Sequence, residues 1–298
     1  MSDFLSRRVH ALPHLGLGVS TEYGAPDAPG ALDLPALRAE HPEWAAFLEV
    51  GVETAKGLDR HARWWAAQGW PTTYHFLDVN LDEPQDVGEP RWLDEVRGLI
   101  DVLKPAWLCG DAGLWHFGPR DRNHMLLLPP ILTDDAAKAM AEGIVTLREA
   151  TGLEVMPENP PGQVFLGDLH LLDFFAKVAD YADTGLLLDA AHLAIYQRVC
   201  GHAPTTGLDG FPAERVLELH VAGATEREVE GLPIVEDDHT PAVLDDTWAI
   251  LDALGPVARN LRAVIFECER NPLASIRPGL ERIQATLAHT PYGQRGAR

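Results

Sequence analysis

Residues 185–193 read GLLLDAAHL, and this stretch contains the unit from which the chain is built. An uninterrupted run of leucines is typical of a parallel strand that is buried on both faces. The run ends in Asp189, and His192 follows three residues later, where the strand turns into a helix. The stretch therefore predicts a βα unit that carries a carboxylate and an imidazole at the carboxyl end of its strand.

Seven further apolar runs of similar length are spread along the chain. They are HLGLGVS (14–20), AFLEV (46–50), TTYHF (72–76), AWLCG (106–110), LEVMP (153–157), VLELH (216–220) and AVIFE (263–267). Helical patterns lie between them, and one of these begins at the capping residue Thr133 and stops at Gly152. Eight strands that alternate with helices predict a single (β/α)8 TIM barrel over residues 1–290, followed by a disordered tail at 291–298.

A doubly wound open sheet is the alternative arrangement of alternating strands and helices. That fold usually carries a glycine-rich turn after its first strand, where it binds a nucleotide. No such turn follows residues 14–20, so we favour the closed barrel.

The composition limits the class of partner. The 298 residues include 24 Lys and Arg against 45 Asp and Glu, a formal net charge of -21. A nucleic-acid-binding protein needs a basic surface, so we expect no nucleic-acid partner. The chain has no run of about 18 apolar residues and no signal-peptide pattern, so we expect no membrane association. The three isolated cysteines fit a reducing compartment, and we expect a cytoplasmic protein.

Nearly every predicted strand ends in a side chain that can bind a metal ion. These residues are Glu49, Glu53, His75, Asp111, Glu158, Asp189, His192, His220, Glu267 and Glu269, with Asp237 and His239 in the loop after the seventh strand. A single one would be explained as a helix cap or a packed histidine. The carboxyl ends of all barrel strands open onto one face, so the whole set converges there. So many carboxylates would repel one another unless cations neutralise them.

The donor types narrow the choice of metal. Mixed imidazole and carboxylate donors without thiolate suit iron, manganese or zinc better than calcium, magnesium or a structural zinc. More than six candidate donors exceed what one ion can hold, so the pattern indicates two or three ions.

The same parts of the chain resemble a known family, the multinuclear non-heme iron-dependent oxidases. The matching segments are LEVGVET (48–54), YHFLDVNL (74–81), GDAGLW (110–115), LLLPP (126–130), PENPPG (157–162), LLLDAAHL (186–193), LELHVAGA (217–224), EDDHTPAVLDDTW (236–248) and IFECE (265–269). Each motif is loose, but together they span almost the whole chain in order.

This resemblance implies a barrel that holds two or three iron ions and uses O2 as co-substrate. The implied substrate is a cysteine or another residue of a ribosomally made precursor peptide, often with a small partner protein that binds the peptide leader. The implied iron ligands are His75, Asp111, Glu158, Asp189, His192, His220, Asp237, His239 and Glu267. Asp237 and His239 are also the candidate catalytic residues.

Two positions depart from the pattern that the family shows. Ala112 and Ala224 stand where relatives commonly have a histidine, which puts a third iron in doubt. His116 or His124 could replace the first of these donors, although either would approach the site from another direction.

Other functions remain open at this point. Sugar isomerases and phosphodiesterases with a TIM-barrel fold also place Glu, Asp and His around two divalent ions. A phosphodiesterase would need a basic approach path, and an isomerase a lysine near the metals, for which Lys56 is the nearest candidate. A non-catalytic metal-binding protein would need a closed coordination shell, which so many donors beside long loops do not favour.

Overall fold

Eight parallel strands close into a barrel in the computed structural model, which describes residues 2–118, 122, 126–288 and 290–296. The barrel strands are β1 (Gly16–Thr21), β2 (Leu48–Val52), β3 (Thr72–Phe76), β4 (Leu108–Asp111), β5 (Val155–Glu158), β6 (Leu186–Asp189), β7 (Val216–Ala222) and β10 (Ala263–Glu267). Each strand pairs with the next along the chain, except that β7 pairs with β10, which pairs with β1 to close the barrel. The predicted (β/α)8 fold is confirmed.

Helices connect most of the strands and surround the barrel. They are α1 (Val9–Ala11), α2 (Leu34–Glu40), α3 (Arg60–Ala67), α4 (Pro84–Val87), α5 (Pro90–Leu103), α6 (Asp134–Thr151), α7 (Leu171–Tyr181), α8 (Ala190–Val199), α9 (Asp245–Leu254), α10 (Leu273–Ala288) and α11 (Pro291–Gly296). The predicted limits of α6 are confirmed, because the Thr133 side chain accepts a hydrogen bond from the Ala136 N–H and Gly152 ends the helix at φ 75°.

The structure contains a hairpin that the sequence did not predict. Strands β8 (Ala224–Val229) and β9 (Leu232–Asp237) pair antiparallel where a loop was expected. Most of the hairpin side chains are exposed, so the apolar alternation of a half-buried strand is absent. The available signal was the two-residue turn Glu230–Gly231, in which both residues have positive φ.

The apolar core lies in two layers, inside and outside the barrel wall. Leu186 and Leu188 belong to the large cluster between strands and helices, whereas Leu187 belongs to a second cluster with Phe47, Trp107 and other residues. Successive side chains of a strand point to opposite faces, so Leu187 points into the barrel. The second cluster therefore fills the lower part of the barrel interior.

The end of the chain differs from the expectation of a disordered tail. Residues 291–296 form α11, and Tyr292 is only 7% exposed. Tyr292 lies against His14, with 4.7 Å between the ring centroids. None of the helices in the described part of the chain is long and apolar enough to cross a membrane.

Candidate metal centre

The strand pleat explains why the metal-binding side chains share one space. Asp189 lies two residues beyond Leu187, which points into the barrel, and therefore lies on the same face of β6. Asp111 stands in the same relation to Cys109 on β4, because Cys109 belongs to the interior cluster. The carboxylates at the strand ends therefore form the layer above the apolar filling of the barrel.

All nine residues that the sequence proposed as ligands lie at this end of the barrel. His75, Asp111, Glu158, Asp189, His220 and Glu267 come from six barrel strands, His192 from the first turn of α8, Asp237 from the end of β9, and His239 from the loop that follows. His192 illustrates how they meet, since its ring lies within 4 Å of carboxylates from β4, β5, β6 and β9.

Three residues from neighbouring strands form the first group of donors. His75 Nε2 lies 2.7 Å from Glu158 Oε2. His75, Asp111 and Glu158 each contribute one donor atom, and these three atoms lie within 4.8 Å of one another, close enough to bind a single ion. Glu158 also belongs to a second such group with Asp189 and His192, so its carboxylate lies between the two groups.

Asn159 holds the second group in place through hydrogen bonds to the backbone. Its side-chain carbonyl accepts from the Asp189 N–H at 2.9 Å, and its amide donates to the Asp189 carbonyl at 3.0 Å. Asp189 Oδ1 in turn accepts from the His192 N–H at 2.6 Å, which caps α8. His192 Nε2 lies 2.9 Å from Asp237 Oδ2, and its Nδ1 lies 2.9 Å from the Asn159 carbonyl.

His220 lies at the centre of the cluster and faces carboxylates on both sides of its ring. Its Nδ1 lies 3.3 Å from Glu158 Oε1 and 3.4 Å from Glu267 Oε1. On the opposite side, Nε2 lies 3.1 Å from Glu49 Oε1. Asp189, His220 and Glu267 form a further group whose donor atoms lie within 4.8 Å of one another.

His239 covers the cluster from the loop after β9. Its Nε2 lies 3.6 Å from Asp237 Oδ2 and 3.7 Å from Glu267 Oε2, and its Nδ1 lies 3.1 Å from Glu269 Oε1. The residue has φ 50°, a left-handed conformation that is uncommon for residues other than glycine. The Asn271 side chain donates to the His239 carbonyl at 2.7 Å and holds the loop there.

Glu49 and Glu269 were outside the proposed ligand set, although both stood among the strand-end residues. Glu49 contacts the imidazole of His220, and Glu269 contacts the imidazole of His239. The sequence signal was their position, since Glu49 lies on β2 and Glu269 is the second residue after β10. Which histidine each carboxylate reaches depends on the tertiary structure.

Burial and neighbouring charges act in opposite directions on these groups. Burial lowers the pKa of His75, but Glu49 and Glu158 raise it by more than burial lowers it, and the resulting pKa is about 10. Burial raises the pKa of Asp189 to about 7, although His192 opposes this change. Burial also raises the pKa of Glu267, but His220 and His239 lower it more, to about 2. Without metal, these shifts favour the protonated form of His75 and the ionised form of Glu267.

Several donor atoms in this cluster are buried without any hydrogen bond among the described residues. They are Asp111 Oδ1, Glu158 Oε1, Asp189 Oδ2, Asp237 Oδ1, Glu267 Oε2 and both ring nitrogens of His220. Buried polar atoms are almost always bonded, because leaving one without a partner costs about 1–3 kcal/mol. Cations shared among these atoms would supply the missing partners. The donor set, oxygen and imidazole nitrogen without thiolate, fits iron, manganese or zinc.

Ala112 and Ala224, the two residues at which the sequence departs from the family pattern, lie in apolar surroundings. Ala112 belongs to the large core cluster, and Ala224 packs with Ile195 and Val235. His116 does not replace the missing donor at 112, because it is fully buried and its Nε2 lies 3.1 Å from Asp86 Oδ2, outside the cluster. His124 lies outside the described residues.

A cavity of about 280 Å³ leads from the surface to the cluster. It is lined by Ser20, Thr21, Glu22, Glu49, Gly51, His75, Leu77, Asp111, Trp115, Leu127, Pro161, His192, Asp237, His239, Glu267 and Glu269. Lys56, the nearest lysine considered for an isomerase, is not among them and instead pairs with Glu53 at 2.6 Å.

These features define a TIM-barrel protein whose strand ends form a buried histidine and carboxylate cluster that could hold metal ions. A family model described as "RiPP precursor modification enzyme MbnB/TglH/ChrH" matches residues 34–288. The chain belongs to this family, whose members modify ribosomally synthesised precursor peptides. The resemblance found in the sequence motifs is therefore confirmed.

Curated relatives agree with this assignment. A UPF0276 protein of Rhizobium meliloti is 25% identical over 234 residues, which cover 75% of this chain and 75% of the relative. A UPF0276 protein of Chromobacterium violaceum is 26% identical over 231 residues, which cover 74% of this chain and 79% of the relative.

Solved structures with the same architecture are more distant in sequence. A xylose isomerase domain protein from Planctomyces limnophilus superposes with a TM-score of 0.58 at 14% identity, covering 93% of this chain and 98% of that chain. The IolI protein with a bound zinc atom superposes with a TM-score of 0.54 at 13% identity, covering 92% of this chain and 98% of that chain. These similarities establish the TIM-barrel fold alone.

Proposed function

We propose that this protein is an iron- and O2-dependent oxidase that modifies a cysteine or another residue of a ribosomally made precursor peptide. The observation that supports this most directly is the set of buried donor atoms without partners, which lies inside a barrel of a peptide-modifying family. Oxygen and nitrogen donors of this kind suit iron.

We assign two ions to the site rather than three. His75, Asp111 and Glu158 would hold one ion, and Asp189, His220 and Glu267 the other, with His192, Asp237 and His239 completing the shells. Glu158 lies between the groups, since its Oε2 faces His75 and its Oε1 faces His220. The positions at which relatives carry further histidines are filled here by Ala112 and Ala224, whose apolar packing offers no donor.

Bound iron would supply the redox chemistry through which electrons lost by the substrate residue pass to O2. The protein's own contribution is to orient the donors and to keep the site enclosed. Asp237 and His239 stand at the cavity wall, where both are more exposed than the donors on the barrel strands. His239 Nδ1 faces Glu269, which leaves Nε2 towards the cavity. Because a metal-bound Nε2 has no lone pair left for a proton, His239 serves as a ligand only, and we assign the acceptance and return of a proton at the substrate to Asp237, whose Oδ1 has no hydrogen bond among the described residues.

The redox-neutral alternative predicts a different cavity. Sugar isomerases and phosphodiesterases act on polar or anionic substrates and would benefit from a cation beside the metals. No lysine or arginine is among the described residues that line the cavity. The family to which the chain belongs acts on peptides, and this also favours peptide oxidation.

The test begins with protein purified under anaerobic conditions. We expect about two iron atoms per chain by elemental analysis and O2 consumption when a candidate precursor peptide is added. Neighbouring genes that encode a short cysteine-containing peptide and a small leader-binding protein would supply the substrate and the partner that we expect in the cytoplasm. Stoichiometric zinc with no activity after iron loading, or full activity without O2, would rule out the oxidase.

A further inference from the structure

An apolar groove continues from the metal cavity across the rim of the barrel. We call it the rim groove; it is lined by Leu127, Leu128, Pro129, Pro161, Gly162, Gln163, Val164, Val235, Glu236 and Asp237. Leu127, Pro161 and Asp237 line the metal cavity as well, so the groove and the cavity form one continuous surface. The groove and the cavity therefore adjoin at these three residues, one of which is a proposed metal ligand.

The groove lies in the part of the surface where exposed apolar side chains are concentrated. Leu128 is 47% exposed and Val164 is 67% exposed. Ile131 and Leu166 extend the patch at 57% and 62%, and a hydrogen bond from the Leu132 N–H to the Leu166 carbonyl joins their segments. Contiguous exposed apolar patches mark binding surfaces in proteins that otherwise bury such side chains.

One wall of the groove is a strand edge that already binds an amide. The Gln163 side chain donates to the Val235 carbonyl and accepts from the Val235 N–H, on the side of β9 that does not pair with β8. A backbone amide of an extended peptide presents the same donor and acceptor. Pro233 lies two residues earlier in β9 and has no N–H. Proline at such a position is typical of an edge strand and prevents a further strand from pairing along the whole of β9.

The charge at the groove selects against acidic peptides. Glu236 and Asp237 line the groove, and the cavity adds further carboxylates, whereas no described lining residue of either is a lysine or arginine. Arg227, which reaches Glu236 at 2.6 Å, is already paired with it. Arg227 and bound metal ions would compensate these carboxylates locally, but the net charge of -21 over the whole chain would still repel an acidic segment.

We propose that the rim groove binds the precursor-peptide segment next to the modified residue, as an extended segment with apolar side chains and without acidic ones. This inference rests on the proposed function for the nature of the substrate. Apolar side chains of the segment would pack on Leu128 and Val164, while the modified residue extends past Asp237 into the cavity. The groove thereby determines which residue of a peptide reaches the metals.

The experiment measures binding and needs no turnover. A fluorescein-labelled peptide of sequence KLSLCLSLK is titrated with the purified full-length protein, and fluorescence anisotropy gives its affinity. We expect Val164→Asp and Leu128→Asp each to weaken binding about tenfold or more, since each replaces an apolar contact with a charge that must lose its water. Val257→Asp is the matched control, because Val257 is 54% exposed and lies outside the groove; we expect it to bind as the wild type does.

The composition of the peptide provides the second comparison. Replacing the leucines by serine, or the two lysines by glutamate, should abolish or strongly weaken binding. No saturable binding of KLSLCLSLK, or equal effects of Val164→Asp and Val257→Asp, would overturn the proposal. If light scattering instead showed a dimer that Val164→Asp dissociates, with peptide affinity unchanged, the groove would be a self-association surface. If the purified protein held zinc in place of iron, the proposed oxidase function would be refuted, but the peptide-binding measurements would still test the groove.

Discussion

His220 Nε2 lies 3.1 Å from Glu49 Oε1, on the side of the ring opposite to the carboxylates that surround Nδ1. Histidine ligands in general bind a metal through one nitrogen while a carboxylate lies beside the other, and Glu49 occupies that position beside His220. Glu49 faces Nε2 at ion-pair distance without a hydrogen bond among the described residues, and we infer that its charge favours the proton on Nε2 and leaves Nδ1 for the metal.

We therefore expect Glu49→Ala to weaken metal binding about 10- to 100-fold, the usual effect of removing such a partner. Glu49→Gln retains an oxygen acceptor and should keep most of the affinity. The measurement is an anaerobic Fe²⁺ titration against a chelator, with circular dichroism to verify folding. Glu53→Gln is the control, since Glu53 pairs with Lys56 and not with His220. Wild-type affinity in Glu49→Ala would show that the contact is not needed.

The second prediction concerns His192, which joins four carboxylates around one ring. We expect His192→Ala to lose at least one metal ion per chain, because it removes a donor and leaves the Asp237 carboxylate without its closest partner. Elemental analysis of the purified variants measures this directly. His202→Ala provides a control, as His202 bonds to Gln197 away from the cluster. Full metal content in His192→Ala would refute its assignment as a ligand.

Metal binding should release protons. Burial lowers the pKa of His75, but Glu49 and Glu158 raise it to about 10, so the metal-free ring is protonated at pH 7 and must lose its proton to bind a metal. Affinity should therefore rise as the pH increases from 6 to 8. Calorimetric titrations in buffers with different ionisation enthalpies count the protons released. A binding enthalpy that is the same in every buffer at pH 7 would contradict this prediction.

The fourth prediction tests the packing that places the loop after β3. A Cβ added to Gly143 of α6 would lie 2.0 Å from the Leu81 carbonyl oxygen, so one of the two segments must move. We expect Gly143→Ala to destabilise the protein by about 1–3 kcal/mol, as overpacked cores do. Gly98 of α5 has no heavy atom within 4 Å of the added Cβ, so Gly98→Ala should be neutral or stabilising by up to about 1 kcal/mol. Urea unfolding of both variants distinguishes the two cases, and equal stability would refute the close contact.

Much of the site could be predicted before the structure was known. A TIM barrel places every strand end on one face, so Asp111, Glu158 and Asp189 had to converge once eight strands were recognised. The family was recognisable for the same reason, because its motifs are these strand ends and their neighbours.

Other features depend on contacts that no local pattern contains. The hairpin β8–β9 has mostly exposed side chains, so its pairing leaves little periodic signal, yet it brings Asp237 to His192. His116 seemed a substitute donor by its distance along the chain, but Asp86 holds it elsewhere.

The amino-acid sequence by itself determined the barrel and the kinds of atoms at the carboxyl ends of its strands, because apolar runs and their alternation with helical patterns can be read along the chain. Only the tertiary structure decided which carboxylate meets which imidazole nitrogen. Glu49 and His220 are 171 residues apart, and their 3.1 Å contact arises from the closure of the barrel and the packing of its interior. Distances between donors, and with them the number of ions that the site can hold, are set by that packing.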